Sequence, residues 1–185
     1  MSKKSFTLIE LVVVIGVVSL VLPAIFAIIF NIVNEQTKLV RLITVKTEGD
    51  NVLNVVANNI RNNAVGIYSS QTMNDSTSVC GTTGSSASSP LYFQDSSGQW
   101  FEFQYASSTI SSLSATLSLP LNSSKTQINN FTLSCSRSNS YSPPIVNLSF
   151  SICYNVTTGS CTSARPEETA LMDYQTSISL RNFSY

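Results

Sequence analysis

Between Leu11 and Val33 the chain runs through Leu, Val, Ile, Phe, Ala and a few small or polar residues without one ionisable side chain. At 1.5 Å of rise per residue, these roughly 23 residues form a helix long enough to cross a hydrocarbon core of about 30 Å. The stretch reads as a membrane span. Lys3 and Lys4 precede it, and Glu35, Lys38 and Arg41 follow in a mixed flank. The positive-inside bias therefore predicts a single-pass chain with its N-terminus in the cytoplasm and the remainder outside. A secretory signal would carry a shorter apolar core of about 7 to 15 residues and a small-x-small cleavage site. Neither that length nor an acid at Glu10 fits it.

Glu10 stands at the mouth of this apolar run. A carboxylate at membrane depth costs several kcal/mol unless something neutralises it, which marks the residue as functional. Its setting is Lys3-Lys4-Ser5-Phe6-Thr7-Leu8-Ile9-Glu10-Leu11. This stretch resembles the prepilin processing motif of bacterial type IV pilins and of the pseudopilins of type II secretion. The resemblance covers the first thirty or so residues. It implies cleavage by a prepilin peptidase on the cytoplasmic side, between Ser5 and Phe6, and N-methylation of Phe6. Ser5 is a small residue where the family usually has Gly. The partners implied are other pilin or pseudopilin subunits, the peptidase, an inner-membrane assembly platform, and the lipid bilayer before assembly. The location implied is the inner membrane first and a periplasmic or cell-surface filament afterwards.

The chemistry of Glu10 agrees with that resemblance. Cutting at Ser5/Phe6 creates a cationic amine about one helical turn before the carboxylate, so the two charges can pair within a subunit or between neighbours. A subunit in the wrong axial register leaves Glu10 buried and uncompensated, at about 3 to 5 kcal/mol. Glu10 is thus expected to gauge register during assembly. Within the span, Gly16 and Pro23 are the breakers, and Pro23 predicts a kink or loosening near Ser19 to Pro23 because it lacks an N–H and clashes with the preceding turn. In the resembling family a proline here marks a segment that melts when the subunit leaves the bilayer; the alternative is an ordinary membrane kink.

Beyond the membrane, Leu39, Ile43, Lys46, Leu53, Val56, Ile60, Ala64 and Ile67 recur at threes and fours, predicting an amphipathic continuation of the helix to about Tyr68. Gly49 and Asp50 predict a kink or short break in it. Ser69 to Pro90, rich in Ser and Thr, has no periodicity and reads as a surface loop. From Leu91 the period changes to two. Leu91 to Gln94, a turn at Asp95 to Gly98, and Trp100 to Tyr105 predict a hairpin with Phe101, Phe103 and Tyr105 on one face. Leu113, Ala115, Leu117 and Leu119 predict one strand stopped by Pro120; Ile128 to Cys135, Val146 to Tyr154 and Tyr174 to Leu180 predict three more. The fold class expected is α+β: a long N-terminal helix packed on one C-terminal antiparallel sheet, a lollipop. Its divisions are a leader at 1–5, a membrane or filament-core half at 6–33, an amphipathic half at 34–68, the Ser-rich loop at 69–90 and the sheet at 91–185. The ending, Gln175 to Asn182, is similar to the terminal strand of some minor pseudopilins and minor pilins.

Cys80, Cys135, Cys153 and Cys161 all fall in the part placed outside the membrane, where thiols oxidise. Three pairings are possible. The turn-rich Asn155 to Ser160 brings Cys153 and Cys161 together, which leaves Cys80 with Cys135. Metal binding has little support, because there is no CxxC and no histidine. No catalytic constellation stands out: Asp75, Asp95, Glu102, Glu167, Glu168 and Asp173 are scattered, Glu167 and Glu168 reading as a solvated turn after Pro166. Ten bases balance ten acids with no basic stripe, so nucleic-acid binding is not indicated. Neither catalysis nor a cofactor is expected. The expected function is that of a filament subunit, a minor pilin or pseudopilin. The alternative is an adhesin or uptake receptor at the fibre tip, with the Ser-rich loop as its contact surface.

Overall fold

The computed structural model describes residues 7–115, 117–139, 141–155, 161 and 170–183. One helix, α1 (Leu8–Asn63), contains 56 residues and is therefore about 84 Å long. Among the described residues nine strands follow: β1 (Gly66–Tyr68), β2 (Ser86–Ser88), β3 (Tyr92–Gln94), β4 (Trp100–Ala106), β5 (Thr109–Ser114), β6 (Ser118–Pro120), β7 (Thr126–Ser136), β8 (Ile145–Tyr154) and β9 (Leu171–Ser179). The architecture is α+β, a long apolar stick carrying an antiparallel head. The head holds two sheets rather than the single one expected, ordered β1-β3-β4-β5-β6 and β2-β7-β8-β9.

The helix ends earlier than its periodicity suggests. Ala64 is extended (ψ 126°) while its N–H still bonds the Ile60 carbonyl. Gly66 to Tyr68 then pair with Tyr92 to Gln94, which places Ile67 in a strand. The residues just after β9 satisfy two of the orphan carbonyls of the last turn. Arg181 N–H donates to Arg61 O at 3.1 Å, and Asn182 Nδ2 donates to Asn62 O at 2.8 Å.

The buried stripe is Val45, Gly49, Val52, Val56 and Ile60, spaced at fours and threes and facing β8 and β9. It lies one step around the helix from the expected set. Leu39 and Ile43 stay exposed, Leu53 packs at the margin, and only Val56 and Ile60 belong to both stripes. The break expected at Gly49 and Asp50 is absent, because α1 is helical throughout. Gly49 is there for close approach. A Cβ on it would meet Tyr174 Cε2 at 2.4 Å. The Tyr174 ring lies across the helix, donates its hydroxyl to Lys46 O at 3.1 Å and stacks on Phe150 at 5.1 Å. Burial, then the charge of Asp50 and a hydrogen bond to it, push the Tyr174 phenol up to about 12.

The head follows the period-two pattern with three departures. The β3–β4 hairpin is as expected: Asp95 Oδ1 accepts from Ser97 N and Gln99 N, and Gly98 takes a positive φ of 79°. Phe93 stacks on Phe101 at 5.4 Å and meets Phe103 at 6.5 Å, forming the aromatic core of that sheet. The first departure is the strand expected from Leu113 to Leu119, which is a tight hairpin. Ser112 faces Leu119, and Ser114 N–H bonds Leu117 O. The second is an additional strand segment at Thr109–Ser112, reached through Ser107 and Ser108, both at positive φ. The third is the Ser-rich segment, which is woven into the head. Ser86 to Ser88 pair with β7, and Val79 N–H bonds Ile67 O.

Replacing Gly49 by Ala should lower the stability of the full chain in detergent by about 1 to 3 kcal/mol, because the aromatic ring must leave its place. Thermal unfolding checks this. Gly16→Ala is the control: nothing lies within 4 Å of its added Cβ, so its unfolding midpoint should not fall.

Candidate assembly interface

Helix α1 has two halves in different environments. Every Leu, Ile, Val and Phe from Leu8 to Val33 is exposed, from 43% at Leu22 to 81% at Leu8. This half is long and apolar enough to cross a membrane, and none of its most apolar window is buried within the chain. After the polar stretch Asn34 to Lys38, exposed apolar side chains resume: Leu39, Val40 and Ile43 are 56%, 63% and 62% exposed. Burial against the head begins at Val45.

The start of the stick is a capping box. Thr7 Oγ1 accepts from Glu10 N at 3.4 Å, and Glu10 Oε2 accepts from Thr7 N at 3.1 Å. The Thr7 hydroxyl also donates to Glu10 Oε2 at 3.2 Å. Two orphan amides are satisfied reciprocally, and the carboxylate complements the positive end of the helix. This local role was legible as Thr-x-x-Glu before an apolar run, a signal that the charge argument passed over. The processing residues Ser5 and Phe6 lie outside the described residues. So does the Pro166, Glu167 and Glu168 turn.

Pro23 sits inside a helix that runs unbroken past it. Lacking an N–H, it leaves the Ser19 carbonyl without its intrahelical donor. One turn earlier, Ser19 Oγ bonds the Gly16 carbonyl at 2.8 Å. Within these two turns, then, one backbone hydrogen bond of the stick is missing and one carbonyl is shared with a side chain.

Where the stick enters the head, Glu48 acts as a clamp. It accepts Ser123 N at 3.1 Å and the hydroxyls of Ser123 and Thr126. Burial alone would push its carboxyl up. The Ser123 and Thr126 hydroxyls, the Ser123 N–H and the Lys125 charge outweigh that and hold it below the ordinary carboxylate value. Glu102 is the opposite case: burial raises it, against a hydrogen bond from Tyr92. Glu48 has no signature in sequence, because its partners lie 75 or more residues away.

Both disulfides join as the spacing suggested, Cys80 with Cys135 (Cα–Cα 6.2 Å) and Cys153 with Cys161 (5.6 Å). The first ties the Ser-rich segment to β7; the second anchors the end of β8. A cleft of about 710 Å³ opens beside the clamp, between Ser107, Ser108, Thr109, Ser124, Gln127 and Asn155. Among the described residues, no three His, Cys, Asp or Glu side chains gather as metal ligands.

The sign of the Glu48 contribution follows from its lowered pKa: it stabilises the fold above the unfolded carboxylate value and is lost as the pH falls through the folded one. The stability difference between wild type and Glu48→Gln should therefore shrink as the pH drops from about 5 to about 3. Denaturant midpoints across that range measure it, and Glu102, with its pKa raised, contributes in the opposite direction to both proteins alike. Comparison of the chain with protein-family models, with curated proteins and with solved structures finds no match in any of the three.

Proposed function

We propose that this chain is the subunit of a helical filament, a minor pilin of a type IV pilus or a minor pseudopilin of type II secretion. It is held in the inner membrane with its N-terminus in the cytoplasm, trimmed between Ser5 and Phe6, and assembled through α1. The observation that carries this reading is the reach of the bare apolar surface. A membrane anchor needs apolar side chains only through a core of about 30 Å. Beyond the polar stretch Asn34 to Lys38, exposed apolar side chains resume at Leu39, Val40 and Ile43, roughly 9 to 15 Å past Val33. Neighbouring copies of the same helix would cover both the span and this extension once the subunit leaves the bilayer.

Glu10 then has two successive partners. In the single subunit it caps α1 through Thr7. In the fibre it pairs with the amine that cleavage frees on Phe6, in the same subunit or a neighbour, because an unpaired carboxylate among apolar helices is strongly unfavourable. The Gly16 to Pro23 stretch supplies the point where the helix can loosen during transfer from bilayer to fibre.

Protein recovered from filaments should begin at Phe6 with one added methyl group; a start at Met1 overturns the processing step, and N-terminal sequencing with mass measurement reads it. Two variants separate the roles of Glu10. Glu10→Gln retains an acceptor for the cap but not the charge, whereas Glu10→Ala loses both. Both should insert into the membrane and both should fail to co-purify with filaments. Normal incorporation of Glu10→Gln would show that the cap alone matters and would remove the register gauge.

A further inference from the structure

Arg41 lies at the junction of stick and head in an unusual state. Its Cζ lies 5.4 Å from the centre of the Tyr154 ring. Its Nη1 is buried and has no hydrogen-bond acceptor, and no carboxylate of the described residues pairs with it. A guanidinium offers five N–H donors and no acceptor, so a half-buried one that lines a pocket with no protein oxygen on its covered Nη1 is suited to an anion on its open side. Its fork matches the paired oxygens of a phosphate or carboxylate.

The surroundings narrow the choice. Beside the guanidinium is a pocket of about 340 Å³ lined by Val33, Gln36, Thr37, Val40, Arg41 and Tyr154. One cation and two neutral polar groups face two valines, which suits an anionic head joined to an apolar chain. The Thr37 hydroxyl donates to the Val33 carbonyl at 3.0 Å. Height along the helix agrees. Arg41 is eight residues past Val33, about 12 Å, and helical side chains lean toward the N-terminus, here toward the bilayer. The Arg41 Cα thus stands about 5 Å above a headgroup layer that extends about 5 to 7 Å beyond the hydrocarbon, a gap that a long side chain leaning toward the N-terminus can close. Tyr154 is the kind of aromatic residue that settles at that boundary.

We propose that this pocket seats the phosphate of a membrane phospholipid, held by Arg41 over the Tyr154 ring while the subunit waits in the bilayer. The inference rests on the membrane-span reading above. The lipid fixes the rotation and depth of the head before assembly, and it must be surrendered when the subunit is drawn into a fibre.

The test uses the full chain, isotopically labelled at arginine and reconstituted in phosphatidylglycerol vesicles. Carbon–phosphorus dipolar dephasing of the arginine Cζ signal is read by solid-state NMR. There are five arginines, 41, 61, 137, 165 and 181. About one fifth of the Cζ intensity should dephase, should be lost in Arg41→Gln and should be unchanged in Arg61→Gln. Protease protection of the N-terminal segment in the same vesicles reports whether the chain spans. A spanning chain without dephasing at Arg41 overturns the lipid site and leaves the membrane reading standing. So does equal dephasing by inorganic phosphate in detergent micelles, which would make the occupant a free anion. A contact from Arg41 Cζ to a carboxylate carbon of a second copy overturns it in favour of a subunit contact. A chain that does not span overturns both readings.

Discussion

The close approach of Tyr174 to Gly49 decides how helix and head lie on each other. A side chain at position 49 would collide with the ring, so only glycine lets β9 come this near to α1. The ring then stacks on Phe150 and bonds the Lys46 carbonyl. Val45, Val52, Val56 and Ile60 are buried as a consequence, because the rotation that brings Gly49 under Tyr174 turns their face to the sheet. The same rotation sends Leu39, Val40 and Ile43 outward. A single packing contact therefore separates the face of α1 that the head covers from the face it leaves bare.

The second constraint is the division of one helix into a bare apolar half and a half packed on the head. From Val45 onward its apolar side chains pack on the head, with Leu42 at the margin; from Leu8 to Val40, and at Ile43, they are exposed. Apolar area of that extent is stable only against lipid or protein. The Glu48 clamp and Arg41 stand at the boundary between these regimes, one satisfied three times over and the other without an acceptor. That contrast is why the first reads as part of the fold and the second as part of a binding site.

The head shows how a sequence poor in charge and rich in Ser and Thr can still build an ordered structure. Cys80 with Cys135 closes a loop of 55 residues, the kind of long closure from which a cross-link removes most unfolded-state entropy. It carries the Ser-rich segment onto the edge of β7, where its backbone finds partners. Hydroxyl side chains supply the rest, as Ser89 Oγ does for Leu133 O at 3.0 Å.

Local patterns determined much of this. The apolar run, Thr7 with Glu10, the Asp95 to Gly98 turn, the alternation of β8 and the sharing of four cysteines all depend on residues close in sequence or on period alone. What escaped depended on distance. The Ser107-Ser108 turn takes a conformation usually marked by Asn-Gly, so the strand beginning at Thr109 had no sign before it. The hairpin within Leu113 to Leu119 kept an alternating pattern across its own turn. Gly49 carries the same letter whether it breaks a helix or admits a ring, and only the position of Tyr174, 125 residues on, tells which. Sequence by itself determined that there is a stick, a head and an unburied apolar surface, because period and composition are local. Tertiary structure alone decided which face of the stick the head covers, because that choice rests on contacts between residues the chain keeps far apart.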